Sequence, residues 1–90
     1  MKYLKIQWLQ LNKEYPVLIY SELDNLRMET RKIEVWSDGH MEHADSTESS
    51  INTKLGKVPT PELTKIAADP QFKPIEISKS DFEAIWDKRK

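Results

Sequence analysis

The sequence predicts an α+β fold, in which a four-stranded antiparallel meander sheet over residues 3–44 is followed by two C-terminal helices packed on one face. Apolar and polar residues alternate with period two through the first half of the chain. Polar turns, the strongest of them at Asp38-Gly39, separate the alternating runs. Apolar residues then recur at helical spacing in two segments that begin at Thr60 and Ser78, both typical N-cap residues.

The alternating runs define the individual strands. The first run covers residues 3–10, and residues 17–20 are apolar on both faces, which is typical of a central strand. The third strand spans residues 28–36, and a two-residue hairpin turn at Asp38-Gly39 leads into a fourth strand over residues 40–44. One phase of these strands is expected to pack beneath the helices, with the following residues: Leu4, Ile6, Trp8, Ile33 and Val35.

The second half of the chain has a different pattern. Residues 45–58 lack periodicity and are rich in Ser, Thr, Asn and Asp, so we expect a mobile loop there. Helices are predicted over residues 60–69 and 78–88. Residues 72–77 form an extended link between them, which leaves open a short fifth strand at the sheet edge. The whole chain, residues 1–90, is expected to form a single domain.

Composition excludes several functional classes. The 14 Lys and Arg residues nearly balance 15 Asp and Glu residues, whereas nucleic-acid binders usually carry a basic excess. The chain has no cysteine, which excludes disulfides and thiolate metal sites and is compatible with a cytoplasmic protein. The sequence shows no signal peptide and no apolar run that could span a bilayer. It also has no glycine-rich phosphate loop or nucleophile motif, so we expect no cofactor and favour a non-enzymatic role.

One group of polar residues falls in core phase. Extending the phase of Ile33 backwards places Glu29 and Arg31 on the inward face, and Tyr20 and Glu22 of the second strand would lie beside them. Buried polar groups must be paired, so a structural Arg31–Glu29 or Arg31–Glu22 ion pair is the first interpretation. The second is a small pocket in which Arg31 binds a carboxylate or phosphate and Tyr20 donates a hydrogen bond.

Trp36 and the two histidines are also informative. Trp36 falls opposite to Ile33 in phase, so it is either an exposed anchor for a protein partner or is covered by a loop. His40 and His43 are three residues apart, and on a strand such residues point to opposite faces. We therefore predict two solvated histidines and no metal site.

Four sequence runs resemble a known family. The runs are IQWLQ (6–10), PVLIYSELD (16–24), METRKIEVWSDG (28–39) and FKPIEISKSDFEAIW (72–86). They resemble a family of small bacterial proteins known only as a domain of unknown function. The resemblance covers nearly the whole chain except residues 40–57. It implies a stand-alone cytoplasmic bacterial protein and no assigned catalytic residues.

Three functional hypotheses follow. The leading one is a non-catalytic binding module, a monomer or a homodimer, that recognises a protein partner or a small anionic ligand. The second is a small enzyme with Glu22 or Glu29 as general base and Arg31 as an electrostatic clamp. The third is an RNA-binding sheet face, which the charge balance disfavours.

Overall fold

The structure, a computed structural model, describes residues 1–89. Its seven elements comprise five strands and two short helices. In chain order they are β1 (Lys2–Trp8), β2 (Leu18–Leu23), β3 (Glu29–Val35), β4 (Met41–Asp45), α1 (Leu63–Ala67), β5 (Phe72–Ile77) and α2 (Lys79–Trp86). No helix in this part of the chain is long and apolar enough to cross a membrane.

The strands form one antiparallel sheet in the order β4-β3-β2-β1-β5. The first four strands are the predicted meander. The extended link after α1 is a true strand, because β5 pairs with the free side of β1 along its whole length. The predicted α+β class is therefore confirmed, with the fifth edge strand included.

The turn between β3 and β4 is longer by one residue than predicted. The Trp36 amide donates to the His40 carbonyl over 2.9 Å, and the Gly39 amide donates to the Trp36 carbonyl over 2.9 Å. The loop therefore contains three residues, Ser37 to Gly39. Gly39 has φ +89°, a left-handed conformation that glycine adopts without steric cost.

Helix α2 covers one side of the sheet, which we call the helix face. Its Phe82 and Trp86 pack against Tyr3, Ile33 and Val35 to form the buried core. Ser78 caps the helix, since its hydroxyl accepts the Asp81 amide over 3.0 Å, as the sequence predicts. The helix ends at Trp86, two residues before the predicted boundary.

The predicted phase of β1 is wrong. Tyr3 pairs with Glu22 on β2 and Ile77 on β5, so it is Tyr3 that shares the helix face with Ile33. Leu4, Ile6 and Trp8 alternate with Tyr3 and lie on the opposite side of the sheet, which we call the loop face. Because both faces bury apolar residues, period two alone does not identify the face beneath the helix.

Helix α1 is shorter than predicted, and Thr60 is not its N-cap. The Thr60 amide donates to the Arg27 carbonyl over 2.8 Å, and the Thr60 carbonyl accepts the Arg27 Nε over 2.7 Å. These bonds hold residue 60 against the β2–β3 turn, so the helix begins only after Glu62, whose backbone is extended. Of the strands, α1 lies closest to β5, whereas α2 crosses β1 and β2.

Asp45 still belongs to β4, whereas residues 46–58 contain no helix or named strand, as predicted, and are anchored to the sheet. Ser50 donates its amide to the His43 carbonyl over 2.8 Å, and Glu48 accepts the Asp45 amide over 2.8 Å. Thr53 is completely buried. The segment therefore covers the outer edge of β4 and part of the loop face.

Candidate functional site

The polar site predicted from the sequence centres on Arg31, which pairs directly with Glu22 across β2 and β3. Arg31 Nε donates to Glu22 Oε1 over 2.9 Å, and Nη2 donates to Oε2 over 2.7 Å. This bidentate geometry is the strongest form of a carboxylate–guanidinium bond. Of the two predicted ion pairs, the Arg31–Glu22 pair is present.

A second carboxylate completes the environment of Arg31. Glu83 on α2 accepts from Nη1 over 2.8 Å and from Nη2 over 2.9 Å. The guanidinium also lies 4.9 Å from the ring centre of Phe82 and 5.0 Å from that of Trp86. Two carboxylates and two aromatic rings therefore surround Arg31, and its fork is already engaged in the free protein.

The electrostatics of this cluster describe a stable ion pair. Hydrogen bonds from Arg31 lower the pKa of Glu22 to about 2, although burial opposes the shift, and the Thr30 hydroxyl adds to the lowering. Glu22 and Glu83 in turn raise the pKa of Arg31. A carboxylate held so firmly in its ionised form is a weak proton acceptor at neutral pH. Burial, followed by the neighbouring Glu22 carboxylate, raises the pKa of Tyr3.

Glu29 does not join Arg31, and its predicted inward placement is wrong. Glu22 pairs with Arg31 whereas Leu23 pairs with Glu29, so β3 contains one extra residue, Thr30. This β-bulge reverses the side-chain phase before Arg31. Glu29 consequently lies on the loop face, where its carboxylate accepts from the Ser21 hydroxyl over 3.1 Å and pairs with Lys32 over 3.1 Å.

Tyr20 lies on the helix face but belongs to the hydrophobic core. It pairs with Ile33 and packs against the core cluster. The Lys5 ammonium lies 6.0 Å from its ring centre. The structure thus brings Glu22 and Arg31 together and separates both from Glu29, while Tyr20 is partly buried and packs against the core.

Three glutamates anchor the 45–58 segment to the loop face. Gly56 donates its amide to Glu29 over 2.6 Å, and the Asn52 amide donates to Glu42 over 2.8 Å. The buried Thr53 hydroxyl donates to Glu34 over 2.8 Å. Burial raises the pKa of Glu34, and the Thr53 bond partly opposes that rise. Among the described residues, no group of three His, Cys, Asp or Glu side chains could hold a metal ion.

Replacing Thr53 with valine tests this anchoring. We expect a loss of about 1–2 kcal/mol in the free energy of unfolding at pH 7, because a buried carboxylate loses its donor without a change in packing volume. Losing the donor also raises the pKa of Glu34 further. The loss in the free energy of unfolding caused by Thr53→Val therefore becomes smaller as the pH is lowered and Glu34 becomes protonated. Urea denaturation at pH 7 and pH 5 measures both effects. The exposed Thr64→Val is the matched control, and an equal loss in the two variants would contradict the anchoring.

The two histidines point to opposite faces, as predicted. His40 Nε2 lies 2.9 Å from Glu42 Oε2 on the loop face, whereas His43 pairs with Ile33 on the helix face. His43 is not solvated as predicted, because its ring meets Trp86 edge-on at 5.7 Å.

Trp36 is on the loop face and is half-buried. It is therefore neither fully exposed nor fully covered by a loop, the two environments that the sequence left open. Its indole N–H donates to the Glu14 carbonyl over 3.1 Å, which means that the β1–β2 loop covers one side of the ring. Its other neighbour is His40, at a ring-centre distance of 5.5 Å. Trp36 borders an open groove with the following residues: Lys13, Glu14, Tyr15, His40, Glu42 and Asn52.

More aromatic side chains continue from Trp36 across the end of the sheet. Trp8 lies 5.3 Å from Tyr15 and 5.4 Å from Phe72, measured between ring centres. Tyr15 also lines the groove beside Trp36. We call this set, which crosses the sheet end on the loop face, the aromatic row; its members are Phe72, Trp8, Tyr15, Trp36 and His40.

The β1–β2 loop presents apolar side chains next to the aromatic row. Leu9 is 43 % exposed, Leu11 100 % and Tyr15 49 %. Gln10 holds the loop in shape, since its Nε2 donates to the carbonyls of Tyr15 and Pro16, each over 3.1 Å. The exposed apolar side chains therefore project from a braced loop. Sequence reasoning missed this feature, although the unpaired leucines of the LQL run were a visible signal.

A family model described as "Domain of unknown function (DUF6881)" matches residues 2–90 of the 90 residues. The chain belongs to this family. No curated protein and no solved structure matches it significantly.

The match confirms the resemblance seen in the four sequence runs. The description of DUF6881 names neither an activity nor functional residues. Two clusters in this structure could carry a function, the polar cluster around Arg31 and the aromatic row. Of these, the Arg31 cluster is internally paired, and the aromatic row with its apolar loop is the candidate functional site.

Proposed function

We propose that this DUF6881 chain is a non-catalytic binding module that recognises a protein partner through the aromatic row and the adjoining loop. The single observation that carries the proposal is an exposed apolar set at this end of the sheet, in which Leu9 and Leu11 line a groove with Trp8 and half-exposed Tyr15 contacts the Trp8 ring. Leu11, which is fully exposed in the connection between β1 and β2, contributes nothing to the core. A contiguous apolar surface of this kind favours a protein interface.

The chemistry of the row also suits a protein partner. Tyrosine and tryptophan combine a large apolar area with one polar atom, and they dominate the energetics of interfaces. Tyr15 is held in place by Gln10 and by a 3.2 Å bond from its amide to the Asn12 carbonyl. A braced anchor loses little conformational entropy when a partner binds.

The other hypotheses receive less support from the geometry. A small anionic ligand would have to displace Glu22 or Glu83 from Arg31, so the sheet-end pocket is not part of this proposal. General-base catalysis by Glu22 is disfavoured by its low pKa. RNA binding is disfavoured because acidic side chains flank the row, among them Glu14, Asp38 and Glu42.

The proposal includes the cytoplasm as the site of action. A chain of 90 residues without cysteine is suited to a reducing compartment. Bacterial origin is likewise part of the proposal and rests on the resemblance of the four sequence runs.

Site-specific photo-cross-linking tests the proposed surface. A photoreactive amino acid replaces Leu11, which is fully exposed at the loop, and a second version carries it at Ile75, which is 53 % exposed on the helix face of β5. We expect a discrete cross-linked protein from position 11 in native cells, and its loss when Tyr15→Ala is added.

The control position decides the outcome. If position 75 captures the same protein equally well, the surface is not specific. If position 11 captures nothing beyond the level seen at position 75, the proposed function is wrong.

A further inference from the structure

The aromatic row crosses the end of the sheet from β5 to the β3–β4 connection, with residues at regular strand spacings. We propose that the row binds an extended, proline-rich segment in the polyproline II conformation, laid across the strands at the end of the sheet. This inference deepens the proposed function and rests on it. It names the partner's recognised element, which the exposed apolar surface alone does not.

The separation of Trp8 and Trp36 along the sheet end matches the repeat of a polyproline II helix. Trp8 ends β1 and Trp36 follows β3, so two strand spacings, or about 9.6 Å, separate the backbone positions from which the two indoles project. A polyproline II helix has three residues per turn and rises about 3.1 Å per residue, so it repeats about every 9.3 Å. Every third side chain of a segment crossing the strands would therefore meet one of the two indoles. Tyr15 lies between them, next to both Trp8 and the Trp36 groove.

The chemistry of the row matches such a segment. Proline rings pack on flat aromatic faces, and aromatic-lined grooves are the usual receptors of this conformation. A polyproline II chain makes no internal hydrogen bonds, so its carbonyls need donors from the receptor. The indole N–H of Trp8 has only a long 3.4 Å contact to Gln71, and half-exposed Tyr15, whose ring centre lies 5.3 Å from that of Trp8, carries a hydroxyl.

Strand addition, the other common mode for an extended peptide, is blocked at both sheet edges. On β4, the outward backbone groups of His43 and Asp45 are occupied by Ser50 and Glu48. On β5, the bond from the Leu9 amide to the Gln71 carbonyl sets the register. That register turns Pro74 outward, and proline has no N–H to offer a new strand.

The charge around Trp36 indicates which residues should flank the prolines of the bound segment. The Trp36 end of the row has carboxylates at Glu14, Asp38 and Glu42, against one ammonium at Lys13. A basic residue beside the proline that meets Trp36 would complement this end. We therefore expect a Pro-x-x-Pro segment with a flanking arginine to bind more tightly than decaproline.

The indole N–H signals in a ¹⁵N–¹H correlation spectrum provide the test. The chain has three tryptophans, of which Trp8 and Trp36 belong to the row and the buried Trp86 does not. Titration with decaproline, and with a Pro-x-x-Pro peptide flanked by arginine, is expected to shift the signals of Trp8 and Trp36 and leave Trp86 unchanged. Tyr15→Ala should weaken binding about tenfold, while Ile75→Ala on the opposite face leaves it unchanged. His40→Ala, at an exposed position, gives a second variant of the row.

Other outcomes overturn the inference. No shift at millimolar peptide, or equal shifts with a glycine–serine peptide of the same length, would exclude polyproline II recognition. Shifts at Trp8 and Trp36 with an oligothymidine but not with the proline peptides would assign the row to nucleic acid instead. If position 11 cross-links a protein partner and the proline peptides still fail, the proposed function survives and this inference alone is wrong.

Discussion

Replacing Arg31 with methionine is expected to lower the free energy of unfolding by about 3–5 kcal/mol. The substitution keeps much of the packing between Phe82 and Trp86, but it leaves Glu22 without its bidentate partner. An ionised carboxylate with 9 % of its side chain exposed would then lack a counter-charge. Because small domains are stable by only about 5–15 kcal/mol, this loss would bring the protein close to unfolding at ambient temperature.

Urea denaturation measures this loss against two matched variants. Arg89→Met removes a guanidinium that stacks on Trp86 at 4.0 Å, and we expect it to cost about 1 kcal/mol or less. The double variant Arg31→Met with Glu22→Gln removes the uncompensated charge, and it should recover part of the stability. Equal losses for Arg31→Met and Arg89→Met would show that the ion pair does not stabilise the fold.

Acid is expected to destabilise the protein between about pH 4.5 and pH 2, by about 3 kcal/mol through Glu22 alone. Its pKa is about 2 in the folded protein, against an ordinary value of 4.5. In this pH window the unfolded chain binds more protons than the folded protein, so stability falls as the pH falls. The contribution is fully present above pH 4.5. Glu34, whose pKa is raised by burial, has the opposite sign and favours the folded state as it takes up a proton.

The pH dependence is measured by urea denaturation at intervals from pH 6 to pH 2.5. Glu22→Gln isolates the contribution of this carboxylate, because the other titrating groups remain in both proteins. The variant is expected to be less stable at pH 6 and to lose less stability as the pH is lowered. If the wild type and the variant lose the same amount of stability as the pH is lowered, the low pKa of Glu22 is contradicted.

Local sequence signals predicted the elements of the fold because those signals act at short range. Alternation, the Asp38-Gly39 turn and the Ser78 cap all depend on neighbouring residues, and the structure contains each element that they indicate. The faces of the sheet were harder to assign. Tyr3 packs under α2 whereas the more apolar phase of β1 lies on the other side, and only the pairing with β2 and β5 decides this.

The site was predicted in part. The Arg31–Glu22 pair follows from strand phase, and the pairing of Arg31 with Glu83 depends on where α2 crosses the sheet. Glu29 was misplaced because the bulge at Thr30 has no glycine or other local signal. The aromatic row joins residues from two strands and two strand connections, up to 64 positions apart in sequence, so no local pattern could assemble it.

The most direct test measures how tightly the partner protein that is cross-linked at position 11 binds to two variants of this chain. The two affinities show whether the partner contacts the aromatic row or the helix face. Tyr15→Ala alters the row, and Glu83→Gln alters the Arg31 cluster on the opposite face. We expect Tyr15→Ala to weaken binding about tenfold, with a loss of stability of about 1 kcal/mol from its contact with Trp8, and Glu83→Gln to lower stability by about 1 kcal/mol with unchanged affinity. Loss of affinity in Glu83→Gln with full affinity in Tyr15→Ala would place recognition on the helix face and contradict the account.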